Sequence, residues 1–420
     1  MKPTDEAKST PAKSWGITAL VVVVALVYAV ISLRRGAVLS ADSARYSQWA
    51  DLLIAAHFNY VSWSSAANGG VVPPLAYAGW VTIVALSKLI LGPAWATGIL
   101  ILNLVLAVAV VAMVLRLVER VTSSRLIVAG AGVAFLVAFE LWLWIPYALS
   151  DVSFMFLACT VLYLLCTDGK KGGLRRLLPV ALALLALVYR PAGLPLLMLV
   201  VVATLFRPRL QSLGVDARAA IARWSALSLC LLIALAVVLE AALMTNPGSW
   251  PFPIMSSWIQ ELSKEYGQGV VIYGRPDTYY TSSSGLLAFV WLNIDRLRWF
   301  FAFSAQGFSR GHVLANAAFF IPVYLGWLAA LVSLMRQRGG LTWSAWWTVA
   351  VGTLFVVLFW VFHSLQYIDY DWRYRLPCVP VLIMLGAIGW QQVIREVSLI
   401  RRGTFARVGS TSTAAPEGHG

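Results

Sequence analysis

The chain has 420 residues, of which 60% are hydrophobic and only 12% charged, and its mean hydropathy is +0.79. A soluble chain this apolar would expose very large greasy patches, so composition excludes a soluble globular protein and, apart from the ends, disorder. The net charge of +14 comes from 32 Lys and Arg against 18 Asp and Glu. On a soluble chain it would point to nucleic acid. Here the basic residues lie between apolar runs and read as membrane topology.

Residues 1–14 form a polar, basic tail, and the apolar run Trp15–Leu33 follows it. No small-residue cleavage site succeeds that run, so it reads as a retained spanning helix rather than a signal peptide. A first outer segment covers about 34–95. Within it the pattern from Ala41 to Phe58 predicts a moderately amphipathic helix, capped by Ser40, with Asp42 in its first turn. Such a helix lies at the membrane interface. The run at 73–92 opens with Pro73-Pro74 and carries Lys88, and either spans the membrane or lies along its face. Further spans are expected at about 96–115, 125–143, 150–166, 176–189, 191–206, 224–244, 312–334, 342–363 and 376–394. The break at Arg190-Pro191 is the weakest of these boundaries. Between 245 and 311 lies a second outer segment, rich in Phe, Trp and Tyr and carrying Glu261, Glu265, Asp277 and Asp295. Residues 403–420, rich in Gly, Ser, Thr and Ala, are expected to be a disordered tail.

Charge chooses among the topologies. If 73–92 does not cross and the N-terminus is cytoplasmic, twenty of the 32 basic residues fall on the cytoplasmic side and twelve outside. If 73–92 crosses, most of the twenty move outside. The positive-inside rule favours the first arrangement: an all-α polytopic protein of about ten spans, both termini inside. Arg34 and Arg35, just outside the first span, run against the rule. The four cysteines, Cys159, Cys166, Cys230 and Cys378, lie in or beside apolar runs without metal-ligand spacing and read as small buried hydrophobes.

On this topology the outer face gathers Asp42, Asp51, His57, Lys88, Asp151, Arg190, Asp369, Asp371, Arg373 and Arg375. Polar groups at the ends of lipid-level helices are candidates for a site. Asp42 is either a helix-start acid or a general base facing water. Asp51, nine positions on, is either a second acid of the site or a solvated one. Asp151 opens a span and either caps it or faces a cavity. The segment Tyr367–Pro377 is the densest polar-aromatic cluster. Arg373 and Arg375, which bracket Tyr374, either snorkel or grip a phosphate, and Lys88 can add a point charge to the same phosphate. His57, His312 and His363 fall near this face, but their spacing gives a metal site no support. Glu140 and Glu240 lie near outer ends of spans, where pairing inside the bundle is one option. No phosphate-binding glycine loop or dinucleotide fingerprint is present.

Five segments together resemble a known family. Ser40-Ala41-Asp42-Ser43-Ala44-Arg45-Tyr46 follows the first span, and Pro73-Pro74-Leu75-Ala76-Tyr77 opens the ambiguous run. Tyr147-Ala148-Leu149-Ser150-Asp151 precedes a later span. Tyr189-Arg190-Pro191-Ala192-Gly193-Leu194 and Arg373-Tyr374-Arg375-Leu376-Pro377 complete the set. In order and spacing the chain resembles bacterial membrane glycosyltransferases of the GT-C fold, family 39-like, in the branch of aminoarabinose transferases and protein O-mannosyltransferases. The likeness covers most of residues 15–395 and is poor across 245–311. Many relatives carry two adjacent acids at the first motif, whereas here Ser43 follows Asp42. The resemblance implies a catalytic domain over 15–402 in the bacterial inner membrane. It implies inverting transfer of a sugar from a polyprenyl-phosphate donor, such as one on undecaprenyl phosphate, to a lipid, glycan or protein acceptor on the periplasmic side. Asp42 would be the base, and Arg373, Arg375 and Lys88 would bind the donor phosphate. Asp151, Arg190, Tyr46, Tyr374 and Asp51 are the other site candidates. No cofactor is required, although a divalent metal is compatible. The rival from another class is a transporter or flippase of lipid-linked sugars, for which charges deep in the spans or broken midplane helices would be expected.

Overall fold

The structure is a computed structural model and describes residues 12–67, 74–122, 124–167, 177–245, 278–279, 285–304, 308–336, 341–364 and 370–410. In chain order the helices are α1 (Ala12–Arg35), α2 (Ala41–Ala55), α3 (Tyr60–Ala66), α4 (Ala78–Leu91), α5 (Trp95–Val121), α6 (Arg125–Val137), α7 (Phe139–Trp144) and α8 (Asp151–Thr167). They continue with α9 (Leu178–Tyr189), α10 (Gly193–Ser212), α11 (Val215–Thr245), α12 (Gly285–Trp299), α13 (Arg310–Arg336), α14 (Trp343–Ser364) and α15 (Cys378–Ser410). Single 3-10 turns cover Pro74–Tyr77 and Trp372–Arg375. A two-residue antiparallel ladder pairs Thr278 with Asp371 and Tyr279 with Tyr370.

Among the described residues, seven helical segments are long and apolar enough to cross a membrane. Three shorter apolar helices, α6, α8 and α9, accompany them. The outward faces agree with a lipid surround. Val22, Val23, Leu26 and Val30 on α1, and Leu227, Leu231, Leu232 and Leu235 on α11, are all exposed. In water such stripes would be an aggregation liability. The chain is therefore an all-α multi-pass membrane protein.

With lipid tails as apolar as the helices, close packing rather than the hydrophobic effect holds such a bundle together. The most extensive contact among the described helices joins α13 to α15. There Gly326 faces Gly386 and Gly389, and a Cβ on Gly326 or Gly389 would collide with the opposite backbone. Small residues on both helices let the main chains touch.

Four local features differ from the sequence expectation or refine it. The run at 125–143 is interrupted at Ala138, whose ψ of 79° leaves the helical region. Such an interruption frees backbone carbonyls, and the Tyr28 hydroxyl donates to the Phe135 carbonyl at 2.8 Å. The break lets α7 start afresh and carry Glu140 inward. The ambiguous run becomes a 3-10 turn and the fourteen-residue α4, about 21 Å long against a hydrocarbon core of about 30 Å. It ends at Gly92, whose φ of 53° turns the chain into α5. Between α9 and α10 the backbone turns within Arg190-Pro191-Ala192, where the Gly193 amide donates to the Arg190 carbonyl. A Cβ at Gly193 would strike the Ala186–Leu187 backbone, so the hairpin needs glycine there. Finally, α15 runs to Ser410, past residue 403 where a disordered tail was expected. Between 403 and 410 the sequence holds two glycines, Gly403 and Gly409, and no proline. The outer loop at 245–311 falls mostly outside the described residues, as does Asp369.

Two ends of the bundle are chemically distinct. One carries Arg120, Leu165, Thr167, Arg207, Arg218, Trp343 and Trp347. The other carries Asp42, Glu140, Asp151, Arg190, Arg373 and Arg375.

Candidate functional site at the carboxylate end of the bundle

The site begins where α1 ends. Gly36 to Leu39 leave the helix, and Val38 pairs with the 146–148 segment: its amide donates to the Pro146 carbonyl, and the Ala148 amide donates to its carbonyl. The buried Asn103 of α5 donates to the Ile145 and Tyr147 carbonyls, fixing that segment against the bundle. Arg35, which topology left unexplained, donates to the Tyr147 hydroxyl at 3.2 Å and lies over its ring. These ties set the start of α2 beside the start of α8, and so Asp42 near Asp151.

At α2 the Ser40 side chain accepts from the Ser43 amide while the Ser43 hydroxyl accepts from the Ser40 amide, a reciprocal capping box. Ser43 is fully buried. Ser43, the residue after Asp42, is thus the third helical residue of the cap. Asp42, in the first turn, is stabilised as an anion by the helix terminus.

Asp42 is bridged by two guanidiniums. Arg45, one turn on, donates to one oxygen at 2.6 Å, and Arg373 donates to the other at 2.7 Å across 331 positions of sequence. Burial opposes ionisation of Asp42, but Arg373 and Arg45 outweigh it and hold the carboxyl below its usual range. Its side chain stays 23% exposed, enough for a solute to reach it.

Beneath this pair lies a second one. Asp151, at the start of α8, binds Arg190 from the α9–α10 turn, and both are buried. Tyr374 joins the two pairs: the guanidinium centres of Arg190 and Arg373 lie 5.6 and 5.5 Å from its ring centroid, within cation–π range. His363 of α14 stacks on the same ring at 4.9 Å, nearly parallel. Tyr46 and Tyr77 close the side of the cluster, with ring centroids 5.4 Å apart. Burial, then the neighbouring Tyr77 and Asp42, push the Tyr46 phenol well above its ordinary value, so it is a neutral donor. Among the described side chains of the cluster, Arg45, Arg190 and Arg373 stand against Asp42 and Asp151. These three guanidiniums and two carboxylates leave one positive charge among them, which an anion can neutralise.

The structure thus brings together Asp42, Tyr46, Asp151, Arg190, Arg373 and Tyr374 of the expected set. It sets three others apart. Arg375 is 1% exposed, pairs with Glu140 of α7, and donates to the Phe300 and Ala302 carbonyls. Its fork faces the protein interior rather than a headgroup, so it pins the turn that presents Arg373. Lys88 donates to both oxygens of Asp51 at 2.7 Å and to the Ser47 carbonyl. Asp51 lies nine residues beyond Asp42, about 13 Å along α2 and half a turn round, and is 64% exposed. That pair docks α4 on the far end of α2. Three contributors were missed: Arg45, Tyr77 and His363 as a stacking partner. Arg45 was within reach of sequence reasoning, since positions i and i+3 share a helix face.

Among the described residues no group of three or more His, Cys, Asp and Glu could hold a metal. His312 stacks on Phe308 and meets the Phe139 ring edge-on. Comparisons of the chain with protein-family models, curated proteins and solved structures return no match.

Proposed function

We propose that the protein is a membrane glycosyltransferase of the GT-C kind, with ten crossings made by the seven long and three short apolar helices. It would transfer a sugar from a polyprenyl-phosphate donor to an acceptor hydroxyl at the periplasmic face of a bacterial inner membrane. One observation carries this reading: Asp42 and Arg45 of α2, with Asp151, Arg190 and Arg373 from three other segments, meet at one end of the bundle, and these five side chains leave a single surplus positive charge. A site for a lipid phosphate needs that surplus at headgroup level, and a transfer reaction needs a solvent-reachable carboxylate beside it.

In the reaction, the acceptor oxygen attacks the anomeric carbon and its proton passes to Asp42. The bond from that carbon to the phosphate oxygen breaks on the opposite face, giving inversion. The electron pair stays on the departing polyprenyl phosphate, whose new charge faces Arg373, with Arg190 behind it. Asp151 holds Arg190, and Arg375 with Glu140 holds the turn. The placement of charge at the bundle end, rather than deep in the spans, favours chemistry at the interface over transport.

Transfer from labelled undecaprenyl-phosphate sugars to membrane acceptors tests the proposal. The wild-type protein should transfer label, and a folded Asp42→Asn variant should lose about 100-fold or more. Full activity in that variant would remove Asp42 from the chemistry. Movement of the labelled lipid across vesicle membranes without transfer would identify a flippase instead.

A further inference from the structure

We infer that Arg373 is shared between the base and the donor phosphate, so that donor binding releases Asp42 for catalysis and the donor must bind before the acceptor proton can be taken. The inference rests on the glycosyltransferase reading and adds an order of events to it. Its ground is the contact itself: Arg373 donates to the very carboxylate that would have to act as base. A carboxylate held by two guanidiniums is a poor proton acceptor, because a proton on one oxygen displaces the guanidinium there and takes the charge from the bond at the other. As the site stands, Asp42 is locked.

Geometry shows which contact can exchange. Asp151 and Arg190 are both buried and already paired with each other. Arg375 is committed to Glu140 and two backbone carbonyls. Arg45 lies on the same helix as its partner and is 42% exposed. Among the described residues, Arg373 is the one that bridges from another segment to Asp42, and both side chains keep some exposure, 14% and 23%. An arriving phosphate therefore meets in Arg373 a guanidinium whose contact with Asp42 is itself only partly buried.

The charge balance fits. A sugar polyprenyl phosphodiester carries one negative charge, which neutralises the surplus of three guanidiniums over two carboxylates. After transfer the phosphate monoester carries two negative charges and Asp42 carries the proton, so the total is unchanged. No charge has to enter or leave the site during the step. Arg45 remains on Asp42 throughout and keeps it ionised and oriented until the proton arrives.

The test measures binding of undecaprenyl phosphate to the full chain in nanodiscs of zwitterionic lipid. Asp42→Asn should bind it about tenfold more tightly than wild type, because the competitor for Arg373 is gone. Relief of plain carboxylate–phosphate repulsion would also tighten binding, so the cycle is completed with Arg373→Gln. In that background Asp42→Asn should give little or no gain. Equal tightening with and without Arg373, or none in a variant that melts like wild type, overturns the sharing. The two readings fail separately. Loss of transfer in Asp42→Asn without tighter binding leaves the glycosyltransferase and removes the sharing. Absence of transfer by wild type removes the enzyme, whatever the affinities.

Discussion

Arginines do different work at the two ends of this bundle. At one end the described contacts include neutral groups: Arg207 donates to the Leu165 carbonyl and lies over Trp347, and Arg218 lies over Trp343 and Trp346. Leu165 sits in the last turn of α8, where carbonyls lack helical partners and carry partial negative charge. At the other end they meet carboxylates: Arg373 with Asp42, Arg190 with Asp151, Arg375 with Glu140. An arginine held by carbonyls and rings keeps its whole charge, which serves topology. An arginine held by a carboxylate gives its charge up to a local balance. Only the second arrangement can be tuned to leave one unit over.

The comparison is most severely tested at Arg375 and Glu140. Removing one partner of a buried pair leaves the other charge uncompensated, at a cost of about 3–5 kcal/mol. Arg375→Gln or Glu140→Gln should therefore lower the melting temperature sharply or prevent accumulation of the folded protein, read by thermal unfolding in detergent. A variant that melts like wild type and loses only donor affinity would return Arg375 to the phosphate site.

The Gly389 crossing comes next. Gly389→Val should force α13 and α15 apart and cost about 1–3 kcal/mol, while a change to alanine at the roomier Gly130, which has nothing near it, should not. Equal melting temperatures for the two variants would mean that the close approach is not what holds these helices.

A subtler effect separates Asp42 from an ordinary surface acid. Its folded pKa is depressed, chiefly by Arg373 and Arg45 against the opposing effect of burial. The stability it contributes is thus present above the unfolded value and is lost as pH falls through the folded one. The acid limb of kcat/KM, which reports the free enzyme, should lie below the ordinary carboxylate value of about 3.9. Arg373→Gln should move that limb upward. If donor phosphate draws Arg373 away, the limb of kcat should lie at higher pH than that of kcat/KM. Coincident limbs would show that Asp42 keeps its partner in the complex.

Much of this was legible in the sequence, for physical reasons. Runs of apolar residues place spanning helices because backbone groups in lipid must pair within the segment. Ser40 marks the start of α2 because a hydroxyl there satisfies an orphan amide. The site residues at 42, 151, 190 and 373 share the expected outer end because topology alternates the ends of successive spans. What the sequence does not carry is pairing within that end. Arg373 and Arg375 are two residues apart and chemically identical. One reaches Asp42 and the other Glu140 because the Trp372–Arg375 turn directs their side chains to different neighbours and α7 restarts after Ala138. The partner of Lys88 is hidden for the same reason: the docking of α4 along α2 brings it to Asp51 rather than Asp42.

That pair makes a smaller test. With Asp51 largely in water, it is worth about 0–1 kcal/mol, so Lys88→Gln should shift the melting temperature little and leave donor affinity intact. A large loss of affinity for undecaprenyl phosphate would place Lys88 in the phosphate site and merge two regions that the contacts keep apart.

The smallest effect belongs at the opposite end. Arg218 sits 5.2 Å from the Trp343 ring centroid and 6.0 Å from that of Trp346, and such cation–π contacts contribute about 0.5–1 kcal/mol at accessible sites. Arg218→Gln should therefore cost no more than that in thermal stability. It should leave sugar transfer and its pH profile unchanged, because among the described residues that guanidinium meets rings and the Gly214 carbonyl rather than a carboxylate. The matching change Arg373→Gln removes the same chemical group at the other end and should depress transfer while moving the acid limb. Read side by side in one assay, the two variants ask whether position alone separates an arginine that orients the chain from one that works in its site. Equal losses would mean that both ends feed one conformational balance.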